Sequence, residues 1–412
     1  MLSKMTSAKL SNTSDNDEEN SPPNLDIVDH VNSTINFIGS TTDKKKRRQF
    51  LDTLSTVLTV HEAASLVALI HNKKSNISKG QRFGLYPITD WPGFIRAKQM
   101  EASLWPAEEV EFHKDRNDFN ELTKDEQRPL KMAFGFFAVG DGSVVSMLAY
   151  QMVLVADSLE KQNGYIVQMD NERTHAETYG KMIFTLIPDK KERENIFNAV
   201  ENVKSIKAMN TFIEDSYMFP DGERQLLVCL VAAEFLMFTP LFCIIFWYRA
   251  YKRGKLKAVI FSNEKIAEDE CNHGENGCCN YRELPKEKRY ADKEIWTIIN
   301  KVVGLVDDFA DEVLSDISLA ELTPKNMKQY IRYVADDVLD RLDHAKYYNV
   351  SSPFVWMNFT KLVPKTNFYS GTVGQYARFN LKQSIENAMK LCKGEVEDEK
   401  TNIYKRVDKV KF

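Results

Sequence analysis

Two short segments, Glu172-Arg-Thr-His175 and Glu270-Cys-Asn-His273, each set a carboxylate and an imidazole three positions apart. On a helix, such a pair shares one face and brings an oxygen and a nitrogen donor toward one point. One Glu-x-x-His is commonplace on a solvated helix. Here, two further acids stand alone in long apolar runs. Asp141 is the only charge in MAFGFFAVGDGSVVSMLAYQMVLVA (132–156), and Glu234 the only one in LLVCLVAAEFLMFTPLFCIIFWY (226–248). An isolated buried carboxylate is costly, so each should be protonated, paired or bound to metal. Charge balance favours metal. The four acids Asp141, Glu172, Glu234 and Glu270 would be neutralised by two divalent ions, with His175 and His273 as neutral ligands. Oxygen-rich ligation with two imidazoles suits iron or manganese better than zinc. A rival zinc set, Cys271, His273, Cys278 and Cys279 in CNHGENGCC, is weaker, because Cys271 and His273 diverge on a helix and adjacent cysteines fit one tetrahedral ion poorly.

The elements that must carry these residues read as helices. The chain has 412 residues, 43% hydrophobic and 28% charged, with only 17 Gly and 13 Pro, and long stretches lack any breaker. Spans near 93–102, 123–157, 160–187, 190–204, 208–216, 221–252, 260–281, 292–320 and 325–347 are expected to be helical, and strand-like alternation is weak. The fold class is therefore all-α. One acid from each of two helices and Glu-x-x-His from each of two others is the pattern of a ferritin-like bundle with a buried dimetal-carboxylate site. That domain is expected over 82–350. Residues 1–81 read as a disordered or extended arm with a helix at 49–71, and 351–412 as a C-terminal segment ending in a mobile tail.

Composition narrows the setting. A net charge of −4 gives no reason to expect nucleic acid. The apolar run at 226–248 is long enough to cross a bilayer, but Pro240 and Glu234 inside it and the lack of a second convincing span argue for a core helix, so no membrane is expected. No signal peptide is expected, since the first twenty residues lack an apolar core and turn acidic. Cysteines 229, 243, 271, 278, 279 and 392 lack the spacing of a disulfide framework, which suits a reducing cytoplasm. The run KKKRR at 44–48 reads as a solvated charge run, with a nuclear-localisation patch as the alternative.

Beyond the ligands, Tyr179 lies one helical turn after His175 on the same face, which puts its phenol close to the metals. Phe238 and Phe242 follow Glu234 at i+4 and i+8, and Ile266 precedes Glu270 by four, so these three are expected to wrap Tyr179 in a dry pocket. Water exclusion would protect an oxidised tyrosine beside an oxygen-activating metal pair.

With these residues in place, the chain from about Arg82 to Arg378 resembles the small (beta) subunit of class I ribonucleotide reductase, in its eukaryotic or viral form. The segments that carry the resemblance are EASLWPAEEVEFHKD, FFAVGDG, NERTHAETY, VAAEFLMF, FSNEKIAEDECNH, MKQYIRYVAD and KTNFYSGTVGQY. The resemblance implies that Asp141, Glu172, His175, Glu234, Glu270 and His273 bind two iron ions, manganese being the alternative. It implies that O₂ at this di-iron centre forms a tyrosyl radical at Tyr179. Trp105 would pass electrons, Asp269 would link it to His175, and Tyr376 would relay oxidation toward a large subunit that reduces ribonucleotides to deoxyribonucleotides. It also implies a homodimer of small subunits and a C-terminal tail that docks on the large subunit.

Some positions depart from the family pattern. The tail ends RVDKVKF where the family has an acidic peptide, and only Phe412 looks familiar. Ala267 and Glu268 replace an expected Ser-Arg pair, adding a negative charge near the relay, and Tyr404 is a second candidate relay residue. Two other readings keep the six ligands: another ferritin-like di-iron oxidase, or a non-catalytic partner that stabilises a radical subunit.

Overall fold

A computed structural model describes residues 84–218, 222–360 and 381–393, with the side chains of 358–360 left out. The N-terminal arm with its helix at 49–71, Tyr376, Tyr404 and the RVDKVKF terminus lie outside the described residues. Within them the elements are helical, and no strand occurs.

Four long helices carry the six candidate ligands. Helix α1 (Trp91–Ser103) precedes them, followed by α2 (Lys124–Met147, extended to Val155 through a π-helical turn at Leu148–Met152) and α3 (Leu159–Leu186). After α4 (Lys204–Met218) come α5, running from Glu223 to Tyr251, and α6 (Lys257–Glu283). The core is closed by α7 (Asp292–Leu314) and α8 (Pro324–Arg341), and α9 (Leu381–Lys393) lies beyond.

Local chemistry sets the starts. Thr123 and Glu126 form a reciprocal capping box on α2, Ser158 accepts from the Lys161 N–H at the start of α3, and Thr323 caps α8 with Pro324 behind it. Helix α2 packs along α3, α5 packs along α6, and the two pairs meet face to face. Two described helices, not one, are long and apolar enough to cross a bilayer, α2 with its extension to Val155 and α5; the most apolar stretch of α5 is wholly buried by protein and that of α2 is 61% buried, as in a protein core.

Close approach of α5 and α6 depends on two glycines. A Cβ on Gly274 would lie 2.4 Å from the Phe235 ring, and one on Gly277 would lie 2.8 Å from Val231 Cγ2. Each glycine thus lets α6 sit against α5 at the level of Glu234 and His273.

Helix α5 is not uniform. Residues Ala232–Met237 form a π-helical turn, with the Phe238 N–H bonded to the Ala233 carbonyl, and Glu234 sits inside it. Such turns are frequent at functional sites. Helix α9 lies within the segment expected to be a mobile tail. Its Ala388 is buried with Ile88 and Phe94, and the Ile88 N–H donates to Cys392 Sγ at 3.3 Å.

Candidate metal centre

Asp141 comes from α2, Glu172 and His175 from α3, Glu234 from the π-turn of α5, and Glu270 and His273 from α6. All six side chains are 0–1% exposed. The sequence-predicted ligands therefore converge from four helices on one buried point. His175 Nδ1 lies 3.2 Å from Glu270 Oε1 and 3.4 Å from Glu172 Oε2, and His273 Nδ1 lies 2.9 Å from Glu270 Oε2 and 3.0 Å from Glu172 Oε1.

The donors fall into two cation-sized groups. One is Glu172, Glu234, Glu270 and His273, the other Asp141, Glu172 and His175, each with ligand atoms within 4.8 Å of one another. Glu172 belongs to both, which suits a bridging carboxylate. Neither oxygen of Asp141 nor Glu234 Oε2 has a hydrogen-bond partner, and both oxygens of Glu172 and Glu270 Oε1 meet only the two imidazoles. Buried polar atoms are normally satisfied, so carboxylate oxygens left this short of donors in one place fit a pair of divalent cations. Each group offers imidazole plus carboxylates, the donor set of iron and manganese. Among the described residues no cysteine shares a cation-sized group with His273, and burial pushes the Cys271 thiol up to about 12.

Without cations the cluster holds protons. Burial, then the charges of Glu172 and Glu270, raises Asp141 well above the usual carboxylate range. Burial, then Glu270 and Glu172, does the same to Glu234. Burial opposes charge on Glu270 too, but His175 and His273 outweigh it and lower that acid. Burial likewise disfavours charged imidazoles, yet the surrounding acids prevail. They raise His175 well above its ordinary value and His273 to about 9. Cation binding would displace these protons.

Around the ligands, Trp105 Nε1 donates to Asp269 Oδ2 at 2.9 Å, and His175 Nε2 lies 3.1 Å from the same oxygen. The Trp105 and His175 rings stack at 6.3 Å between centroids. Lys265 Nζ sits 5.5 Å over the Trp105 ring, while Glu268 is exposed.

Tyr179 is fully buried, and burial followed by the charges of Asp141, Glu270 and Glu172 raises its phenol well above the ordinary value. Its ring stacks on Phe137 at 4.7 Å with the planes 5° apart. Phe238 and Phe242 pack on the Phe137 ring at 5.4 and 4.8 Å, and Ile266 is buried in the same core.

Three neighbours escaped the sequence reading. Phe137 is the ring that faces Tyr179, the Tyr179 hydroxyl donates to Asn263 Oδ1 at 2.6 Å, and Gln168 Nε2 donates to Glu234 Oε1 at 2.7 Å. Each had a signal. Phe137 is four before Asp141, Gln168 four before Glu172 and Asn263 seven before Glu270, all on the ligand-bearing faces.

Four helices that aim two Glu-x-x-His pairs and two lone acids into one dry core define a ferritin-like dimetal-carboxylate protein. Residues 82–353 match the family "Ribonucleotide reductase, small chain". The sequence is 34% identical over 317 residues to the ribonucleoside-diphosphate reductase small chain of Variola virus, a match that covers 75% of this protein and 96% of the viral one. It is 32% identical over 315 residues to a ribonucleoside-diphosphate reductase small chain of Arabidopsis thaliana, covering 76% of this protein and 90% of the plant one. The fold is shared with solved structures, of which two illustrate it. One is the dimanganese(II)-NrdF of Streptococcus sanguinis (TM-score 0.61, 17% identity, 68% of this protein and 98% of that one). The other is the ribonucleotide reductase Rnr4 homodimer of Saccharomyces cerevisiae (TM-score 0.59, 22% identity, 75% and 95%). The chain belongs to the ribonucleotide reductase small-chain family.

Proposed function

We propose that this chain is the radical-generating small subunit of ribonucleoside-diphosphate reductase, with Tyr179 as its radical site. The observation that carries the reading is the buried Tyr179 phenol, one turn from ligand His175 and sealed by Phe137 in the same core as the six ligands. When bound, the metal pair supplies O₂ activation and a one-electron oxidant for the phenol. Iron is the metal favoured by the resemblance, and manganese is the alternative.

The chain's own residues do the rest. Asp141, Glu172, His175, Glu234, Glu270 and His273 hold the cations, and Gln168 orients Glu234 by its hydrogen bond. Phe137, Phe238, Phe242 and Ile266 keep water from Tyr179. Asp269 accepts from Trp105 and sits against His175 through one oxygen, so it can hold a proton between indole and imidazole as charge passes. This link favours a radical relay over a self-contained oxidase, which needs no tryptophan outlet. From Trp105 the relay continues through Tyr376 to a cysteine of the large subunit, where ribonucleotide reduction begins.

The large subunit is the proposed partner, docked through the C-terminal tail. A second copy of this protein is the other. The solvent side of α2, with Gly142 exposed and Val139, Val145, Ala149 and Val153 only partly covered, supports a homodimer. The cytoplasm is the proposed compartment.

Electron paramagnetic resonance after adding Fe²⁺ and O₂ to the metal-free protein tests the reading. A tyrosyl signal coupled to a metal pair is expected, along with deoxyribonucleotide formation once the large subunit is added. Tyr179→Phe should lose signal and turnover while keeping metal, and retained turnover in that variant would sink the assignment.

A further inference from the structure

We infer that Asn263 is the positioning residue that holds the Tyr179 phenol in its reduced form and withholds a hydrogen bond from the oxidised one. The inference rests on the reading of Tyr179 as the radical site. Both side chains are fully buried. The phenol donates to Asn263 Oδ1 at 2.6 Å, while Asn263 Nδ2 donates to the Val259 carbonyl one turn earlier on α6, at 2.8 Å. A carbonyl can only accept, so Val259 fixes which end of the amide faces the phenol. Asn263 therefore presents an acceptor to Tyr179 and keeps its donors elsewhere. The Asp141 oxygens, which have no hydrogen-bond partner, are not the phenol's acceptor in this arrangement.

The chemistry follows from that orientation. Oxidation to the neutral radical removes one electron and one proton from the phenol. The electron goes to the oxidant that the loaded metal site derives from O₂. The amide oxygen is far too weak a base to keep the proton, which leaves toward the carboxylate cluster. What remains is a phenoxyl oxygen that can only accept, facing an amide oxygen that can only accept. The hydrogen bond therefore belongs to the reduced tyrosine alone. Asn263 fixes the ring's orientation before oxidation and biases the couple toward the phenol, by about tenfold if it is worth one ordinary hydrogen bond.

Asn263→Leu is close in size and cannot accept, whereas Asn263→Asp keeps an acceptor oxygen. Asn263→Ala serves the same comparison should the leucine variant fail to fold. The first readout needs no metal. In protein carrying carbon-13 at tyrosine Cζ, the Tyr179 resonance is assigned by its loss in Tyr179→Phe. It should move from a hydrogen-bonded to a free phenol position in Asn263→Leu and stay near its original position in Asn263→Asp. An unmoved resonance in Asn263→Leu would overturn the inference.

The second readout is the radical formed with Fe²⁺ and O₂. Its resonance spectrum in the parent protein should show no deuterium-exchangeable hydrogen bond from Asn263. Equilibration with a redox mediator should leave about tenfold more radical relative to phenol in Asn263→Leu. An exchangeable proton coupling that disappears in Asn263→Leu would mean the amide turns over to donate, and would also overturn the inference. A parent protein that shows the metal-free shift yet forms no tyrosyl radical would overturn the radical reading and this inference with it. That failure is distinct, because the first readout does not depend on metal.

Discussion

Replacing Asp141 with valine is expected to stabilise the metal-free protein and destabilise the loaded one. The residue is 0% exposed and neither of its oxygens has a hydrogen-bond partner. Burial, with Glu172 and Glu270 close by, holds its pKa well above the usual range, so in the metal-free core it sits largely as the neutral acid. Its unmade hydrogen bonds cost on the order of 1–3 kcal/mol. Valine fills nearly the same volume, makes no such demand and has a similar helix propensity, so the expected gain is ~1–2 kcal/mol. With metal the sign reverses, since a cation at one hundred times its dissociation constant contributes ~2.7 kcal/mol that a lost ligand forfeits. Urea unfolding in chelator and in anaerobic Fe²⁺ measures both, provided the slope m is unchanged. A midpoint in chelator that drops as far as for an ordinary core truncation would refute the idea that Asp141 is kept unsatisfied for a cation.

Other perturbations test other parts of the site. His273 is held at about 9 against 6.5 when unfolded, because Glu172 and Glu270 outweigh its burial. A raised histidine gives stability that is whole below pH 6.5 and lost as pH climbs through about 9, and the raised Asp141 and Glu234 push the same way. The metal-free protein should therefore lose on the order of 2–3 kcal/mol across that window, visible in urea midpoints, while the loaded protein changes less. Phe137→Ala removes a fully buried ring stacked on Tyr179. It should cost ~3–5 kcal/mol in denaturant unfolding and shorten the life of any radical, whereas Phe137→Leu should cost about 1 kcal/mol. Asp269→Ala should leave metal content intact but cut turnover with the large subunit by ~100-fold or more, measured beside radical yield, and near-normal turnover would remove the Trp105 link from the relay.

Much of this site is written in residue type and spacing. The six candidate ligands were legible because acids in apolar helices are too costly to be incidental, and the helices themselves show as long periodic stretches without breakers. Helix ends were harder. Helix α7 stops at Leu314 and α8 at Arg341, short of the 320 and 347 expected, and neither end carries a glycine or proline to mark it. The α8 stop is made by Asp343 at φ 66°, with the His344 N–H reaching back to the Leu339 carbonyl, a job glycine usually signals. The stretch expected as one helix over 190–204 breaks at Asn198, and α4 begins at Lys204 rather than 208. Gln168 and Asn263 were passed over because amides in a helix read as solvent-facing unless their place on a ligand face is counted. The π-turn around Glu234 left no trace at all, since AAEFLM is as good an α-helix sequence as any.

That turn holds one residue more than an α-helix of equal rise, and so carries slack. Among the described residues Glu234 is the only one of the six ligands mounted on such a stretch. Passing the surplus residue along the helix would swing its carboxylate by about 100° around the axis while leaving both ends of α5 anchored. The other five sit on α-helical turns, the π-turn of α2 lying beyond Asp141 at Leu148–Met152, so rearrangement of the cage as its contents change would fall first on this arm.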